Sequence, residues 1–140
     1  YCLTLQAREQ HIRRAKSTSN ICSNEALCNL AATVYMTLMG KEGLKEVAIQ
    51  STTKAHYLAG KISKINGFSL AFEAPFFKEF AIKTPVLAKE IIEKLKSKNI
   101  FPGVDLKQFG YENMLLIAVT EKKRKCELDQ FVRELKELAG

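Results

Sequence analysis

A chain of 140 residues with 46% apolar content and few Gly or Pro is long enough to close one hydrophobic core, which argues against disorder. The net charge of +7 raises anionic partners as a class. Much of that excess is confined to residues 8–16 and the run "EKKRK", with no Gly/aromatic recognition motif between them, so an acidic protein surface or a small anion is preferred over nucleic acid. No stretch reaches membrane-spanning length and no signal segment is present, so a soluble cytoplasmic protein is expected; the start at "YCLTLQ", without Met, reads as the cut edge of a larger protein.

The first element in chain order is an arm, "TLQAREQHIRRAKSTSN", that suits neither a good helix nor a good strand. Its guanidinium forks and imidazole fit anion binding, proton transfer or an interface, and they fit a solvated arm equally well. From Asn24 to Met39 the positions Leu27, Leu30, Ala31, Val34 and Leu38 recur at helical spacing, and Gly40 supplies a stop. No charge stands between Ala26 and Gly40. A helix that is neutral all round expects cover on more than one side. A second helix runs from Lys41 into the low sixties, with Leu44, Val47, Ala48, Ala55, Leu58, Ile62 and Ile65 as its inward stripe; His56 and Tyr57 within it read as packing or surface residues.

After Asn66 and Gly67 the period changes to two, through Phe68, Leu70 and Phe72, and "FFKEFAIK" follows as a second strand. Thr84 before Pro85 is a helix-start signal, and the helix it opens carries Val86, Leu87, Ile91 and Leu95 inward to end near Asn99. Residues 100–113 read as a loop. The run "MLLIAVT" reads as a strand buried on both faces, and a last helix over 125–138 sets Leu128, Phe131, Val132, Leu135 and Leu138 on one side. The predicted fold class is therefore α/β in two layers, a mainly antiparallel three-stranded sheet with helices, preceded by two helices. Its parts are a basic arm over 1–23, two bridging helices over 24–66 and a small α/β domain over 67–140.

Most catalytic signatures are missing: no Gly-rich phosphate loop, no paired carboxylates at a recognisable spacing and no metal-ligand cluster. Cys2, Cys22, Cys28 and Cys126 lack a C-x-x-C pair, so no metal is expected and buried free thiols are the plain reading. A nucleophile built from Cys22 and His11 would still lack an orienting group and an oxyanion site.

The stretch "LTLQAREQHIRRAKSTSNICSNEAL", together with "GKEGLKEVA", "FFKEF", "PGVDL" and "LLIAVTEKK", closely resembles the glycine cleavage system P-protein family, glycine dehydrogenase (decarboxylating), in its alpha-subunit form. The resemblance implies a pyridoxal-phosphate enzyme of fold type I, of which this chain would be the C-terminal part: bridging helices and the small domain. It implies decarboxylation of glycine and transfer of the aminomethyl group to the lipoyl arm of the H-protein. The cofactor lysine would lie on the other, beta, subunit, within an alpha/beta hetero-oligomer, and the isolated segment would be inactive. Carried over residue by residue, His11 and Arg13 are catalytic candidates, Arg8, Thr18, Ser19 and Asn20 are cofactor-binding candidates, and Arg8, Glu9, Arg13 and Arg14 are partner-interface candidates. The rival expectation is a non-catalytic α/β module whose basic arm docks a partner. Ala15, Lys41 and Arg124 depart from the family's usual residues, and Arg124 is expected to weaken the start of the last helix, where a capping Thr is usual.

Overall fold

The computed structural model describes residues 10–17 and 25–139. The chain divides into two compact units, Tyr1–Gly40 and Lys41–Gly140.

In the first unit, α1 (Gln10–Arg13) is a single turn that passes into a 3-10 turn, Arg14–Lys16. Arg14 adopts a left-handed backbone at φ 49, and the Ser17 N–H closes the turn on the Arg14 carbonyl at 3.1 Å. The long helical stretch α2 (Ala26–Ile62) begins in this unit and is broken at Gly40, whose φ of 61 and ψ of −175 are not helical. Such a φ costs glycine nothing, and it turns one continuous run of helix formers into two segments, 26–39 and 41–62. The expected start at Asn24 lies outside the described residues. Segment 26–39 exposes its apolar side chains, including Leu27 at 80% and Leu38 at 81%.

The second unit contains a closed core. The buried face of segment 41–62 begins only at Ser51 and continues through Ala55, Leu58, Ala59 and Ile62. Leu44, which the periodicity had turned inward, is exposed. Beyond it lie β1 (Ser69–Leu70), β2 (Glu79–Lys83), α3 (Ala88–Ser97), β3 (Val104–Asp105), a 3-10 turn (Leu106–Phe109), β4 (Met114–Ala118) and α4 (Lys125–Ala139). The strands form one antiparallel sheet in the order β1-β2-β4-β3. The register pairs Phe80 with Ile117 and Ile82 with Leu115, so these side chains share one face. That face packs with Leu58 and Ile62 of α2, Ile91 and Leu95 of α3, and Leu128 and Leu135 of α4 in a single core. The α/β, two-layer expectation holds for this unit.

The structure corrects the finer expectations. The sheet has four strands rather than three, because Val104 and Asp105, expected to be loop, pair with Leu116 and Leu115. Gly103 permits this contact: at φ +146 a Cβ there would stand 1.9 Å from the Leu116 carbonyl oxygen. β4 is fully buried on one face only, with Leu115, Ile117 and the following Val119 inside while Leu116 is half-covered and Ala118 exposed. The reason is that the helices of this unit pack on the face of Phe80, Ile82, Leu115 and Ile117, leaving Ala81, Leu116 and Val104 in a row across the other face.

Thr84 does not cap α3. Its N–H donates to the Asn113 carbonyl at 2.9 Å and its hydroxyl to the Val86 carbonyl at 2.7 Å, which ends β2 and shapes the approach to a helix whose first residue is Ala88. Arg124 does not leave α4 uncapped, since the Glu127 carboxylate accepts its backbone N–H at 2.8 Å, one half of a capping box. Cys28 and Cys126 are exposed rather than buried: the first lies on the uncovered segment 26–39, the second on the outer side of α4. Cys2 and Cys22 lie outside the described residues.

Candidate functional site

Of the arm's nominated residues, the structure describes the side chains of Arg13 and Arg14, and both are exposed. They follow one another at the junction of α1 and the 3-10 turn, where the Arg14 backbone is left-handed. Lys16 is exposed as well. Exposed guanidiniums on a tight turn can form bidentate hydrogen bonds to a carboxylate or phosphate without first breaking a buried ion pair. His11 lies in the backbone of α1, while its side chain is outside the described residues, as are Arg8, Glu9, Thr18, Ser19 and Asn20.

A second feature escaped the sequence reading. A cleft of about 320 Å³ opens where the loop after α3 passes the end of β4 and the start of α4. Leu58, Ile117, Val119, Leu128 and Phe131 form its apolar floor, with Phe101 and Pro102 on the loop side. The loop takes its shape from Asn99, left-handed at φ 58, and from the Ile100 N–H, which donates to the Leu95 carbonyl at 3.0 Å. The only sequence trace of it is the helix-ending "NIFPG".

The cations at the rim of the cleft are engaged. Lys98 donates to the Glu134 carboxylate and, at 3.2 Å, to Glu137; these two bonds hold its ammonium above the usual lysine range. Lys123 lies 3.9 Å from Glu127. Glu127 itself is held below the usual carboxylate range, first by the Arg124 backbone N–H and then by the Arg124 side chain. An apolar floor with neutralised cations can hold an apolar group, but it offers no unpaired acid, base or nucleophile.

The residues of segment 41–62 that carry chemistry serve the packing. His56 stacks on Phe76 with ring centroids 4.1 Å apart and 6° between the planes, and its Nε2 lies 3.0 Å from the Phe76 carbonyl oxygen. The Tyr57 hydroxyl donates to Asp129 at 2.5 Å, while Lys61 and Lys125 each stand 5.5 Å from the centre of its ring. Lys125 also donates to Asp129 at 2.8 Å. Asp129 is consequently held below its ordinary range, chiefly by Lys125 and then by Tyr57. These bonds tie α2 to α4. Among the described residues, no three His, Cys, Asp or Glu side chains are placed to hold a metal ion, and no helix is long and apolar enough to cross a membrane.

Residues 1–135 match the family described as glycine cleavage system P-protein. The chain belongs to that family. It is 61% identical over 138 residues to a protein of Chlorobaculum parvum named probable glycine dehydrogenase (decarboxylating) subunit 1, a match that covers 99% of this chain and 31% of the relative. A protein of the same name from Chloroherpeton thalassium is 60% identical over 138 residues, with the same coverage of 99% and 31%.

Among solved structures, the crystal structure of glycine decarboxylase (P-protein) of the glycine cleavage system, in inhibitor-bound form, is 36% identical with a TM-score of 0.79, covering 96% of this chain and 31% of that one. A phosphoserine aminotransferase from Cytophaga hutchinsonii, 22% identical with a TM-score of 0.59 over 77% of this chain and 30% of its own, shares the fold. This P-protein family member thus spans about a third of the length of the relatives it matches.

Proposed function

We propose that the chain is part of the alpha subunit, subunit 1, of glycine decarboxylase in the glycine cleavage system. In this reading the whole enzyme decarboxylates glycine with pyridoxal phosphate and passes the aminomethyl group to the lipoyl arm of the H-protein, in the cytoplasm. The observation that carries the reading is the 61% identity across 99% of the chain to a protein named as subunit 1 of that enzyme.

The described residues do not by themselves fit a pyridoxal phosphate site. Every described lysine is exposed or only half-buried, and Lys54, one of the half-buried ones, donates to the Glu121 carbonyl at 2.5 Å. The cofactor's lysine is assigned to the partner, subunit 2, and the 140-residue segment alone is expected to be inactive.

What this chain contributes is the basic arm. Arg13 and Arg14 are exposed and adjacent in the chain where α1 passes into a 3-10 turn, an arrangement that suits an anion or an acidic partner surface. Arg8, His11, Thr18, Ser19 and Asn20 are assigned to the same site, with Glu9 at the partner interface.

The test uses the full-length subunit that carries this segment, assembled with subunit 2 and H-protein and assayed by exchange of labelled bicarbonate into the glycine carboxyl group. Arg13→Ala should lower kcat/KM by roughly 10- to 100-fold, the loss of one charge-assisted hydrogen-bonding group worth about 1.5–3 kcal/mol, with assembly unchanged on size exclusion. Loss of assembly at the same substitution would instead make the arm a docking element, and unchanged exchange with intact assembly would remove Arg13 from the site.

A further inference from the structure

Among the described residues, the helix segment 26–39 carries a run of exposed apolar side chains along a single element. Leu27, Leu30, Val34 and Leu38 form a stripe that is 80%, 61%, 50% and 81% exposed. Tyr35, beside the stripe, and Met36, on the opposite side of the helix, are about half exposed. The segment's two threonine hydroxyls bond within the helix. The Thr33 hydroxyl donates to the Asn29 carbonyl at 2.8 Å and the Thr37 hydroxyl to the Thr33 carbonyl at 2.7 Å, so both bonds are spent within the helix and the methyl groups are left to face outward. No charged side chain interrupts the segment. A surface helix of a finished protein carries a charged outer face, and this one has none.

We infer that segment 26–39 is an internal helix of the full-length subunit, covered on more than one side by the part of the same polypeptide that lies outside these 140 residues. Two observations favour that occupant. The chain spans 31% of the relatives' length, so more than two thirds of each relative is available as cover in the same polypeptide. The segment is about 21 Å long at 1.5 Å per residue, and apolar groups stand on more than one of its faces. A second copy pairing along the Leu27–Leu38 stripe would bury that stripe alone and leave the Tyr35 side wet, whereas a surrounding domain covers both. The inference rests on family membership and on the relatives' length, not on the proposed reaction.

Cys28 provides the probe. It is a free, exposed thiol on this segment, one turn from Ala32 and two turns from Tyr35 on the same face. The full-length subunit is treated with a maleimide, and the modification of Cys28 is followed by peptide-resolved mass spectrometry against the same thiol in urea-unfolded protein. Cover by its own polypeptide predicts a rate at least about tenfold slower in the native subunit, since labelling then waits on local opening, and the same slowing after a hundredfold dilution without subunit 2.

Less than tenfold protection would overturn the inference. Protection that vanishes on dilution would do so as well, assigning the face to a second copy, and protection that requires subunit 2 would assign it to the partner. None of these readouts involves glycine turnover, so a failure here is separable from a failure of the proposed function.

Discussion

Gly103 permits the edge of the sheet to form, and its replacement by Ala should therefore be unusually costly for an exposed position. Two effects add. At φ +146 the backbone lies where only glycine is comfortable, a strain of about 1–3 kcal/mol for any other residue. The new Cβ would also stand 1.9 Å from the Leu116 carbonyl oxygen, against a normal contact distance nearly twice as long. That oxygen belongs to the backbone of the central strand β4, so the relief must come from β3 moving away. That movement breaks the pairing of Val104 with Leu116 and Asp105 with Leu115, at about 0.5–1.5 kcal/mol for each hydrogen bond lost. The expected loss for Gly103→Ala is about 2–5 kcal/mol, measured as the drop in the urea midpoint of the chain at constant m-value. An unchanged midpoint would refute the close approach of β3 to β4, and with it the fourth strand.

The opposite sign is expected at Gly60. It lies on an exposed turn of α2 with nothing within 4 Å of a built Cβ, so Gly60→Ala should raise stability by about 0.5–1 kcal/mol in the same urea titration. The carboxylates of α4 supply a pH test. Asp129 is held low by Lys125 and Tyr57, and Glu127 by Arg124, so both stabilise the fold above their unfolded pKa values and lose that contribution as the pH falls through their lower folded values. Tyr57→Phe removes one of the two hydrogen-bond donors to Asp129 and should move its NMR-detected titration back toward the ordinary carboxylate range; an unmoved titration would remove the Tyr57–Asp129 bond.

The elements that bury a periodic face were legible from the residues. The spacing of Ile91 and Leu95, and of Leu128, Phe131 and Leu135, identifies core faces that the structure confirms, whereas the alternation through Phe68, Leu70 and Phe72 buries only Phe68 and leaves Leu70 and Phe72 exposed. Short pairings were not legible. β3 is two residues long, and its existence depends on a glycine conformation and a backbone approach that periodicity does not encode. Helix starts misled for a related reason: a threonine before a proline and a missing capping threonine are local signals, and both were overridden by neighbours, Asn113 and Val86 at Thr84, Glu127 at Arg124. β4 was expected to be covered twice because an unbroken apolar run does not tell which face receives the helices. The candidate site was legible only through resemblance. Composition left the arm undecided between anion site and solvated segment, and the described residues reach only its Gln10–Ser17 portion.

The two units differ in how far they satisfy themselves. In the second, Leu58, Ile82, Leu115 and Leu135 are fully buried, so its stability is largely internal. In the first, segment 26–39 keeps Leu27, Leu30, Val34 and Leu38 exposed, each forgoing much of the about 1.5–3 kcal/mol that full burial of such a side chain supplies. A helix this short is marginal in water from propensity alone, and it normally persists because an apolar face is packed. Covering segment 26–39 would therefore do more than remove apolar surface from water. It would also supply the packed face without which a helix of this length is held only weakly by its own propensity.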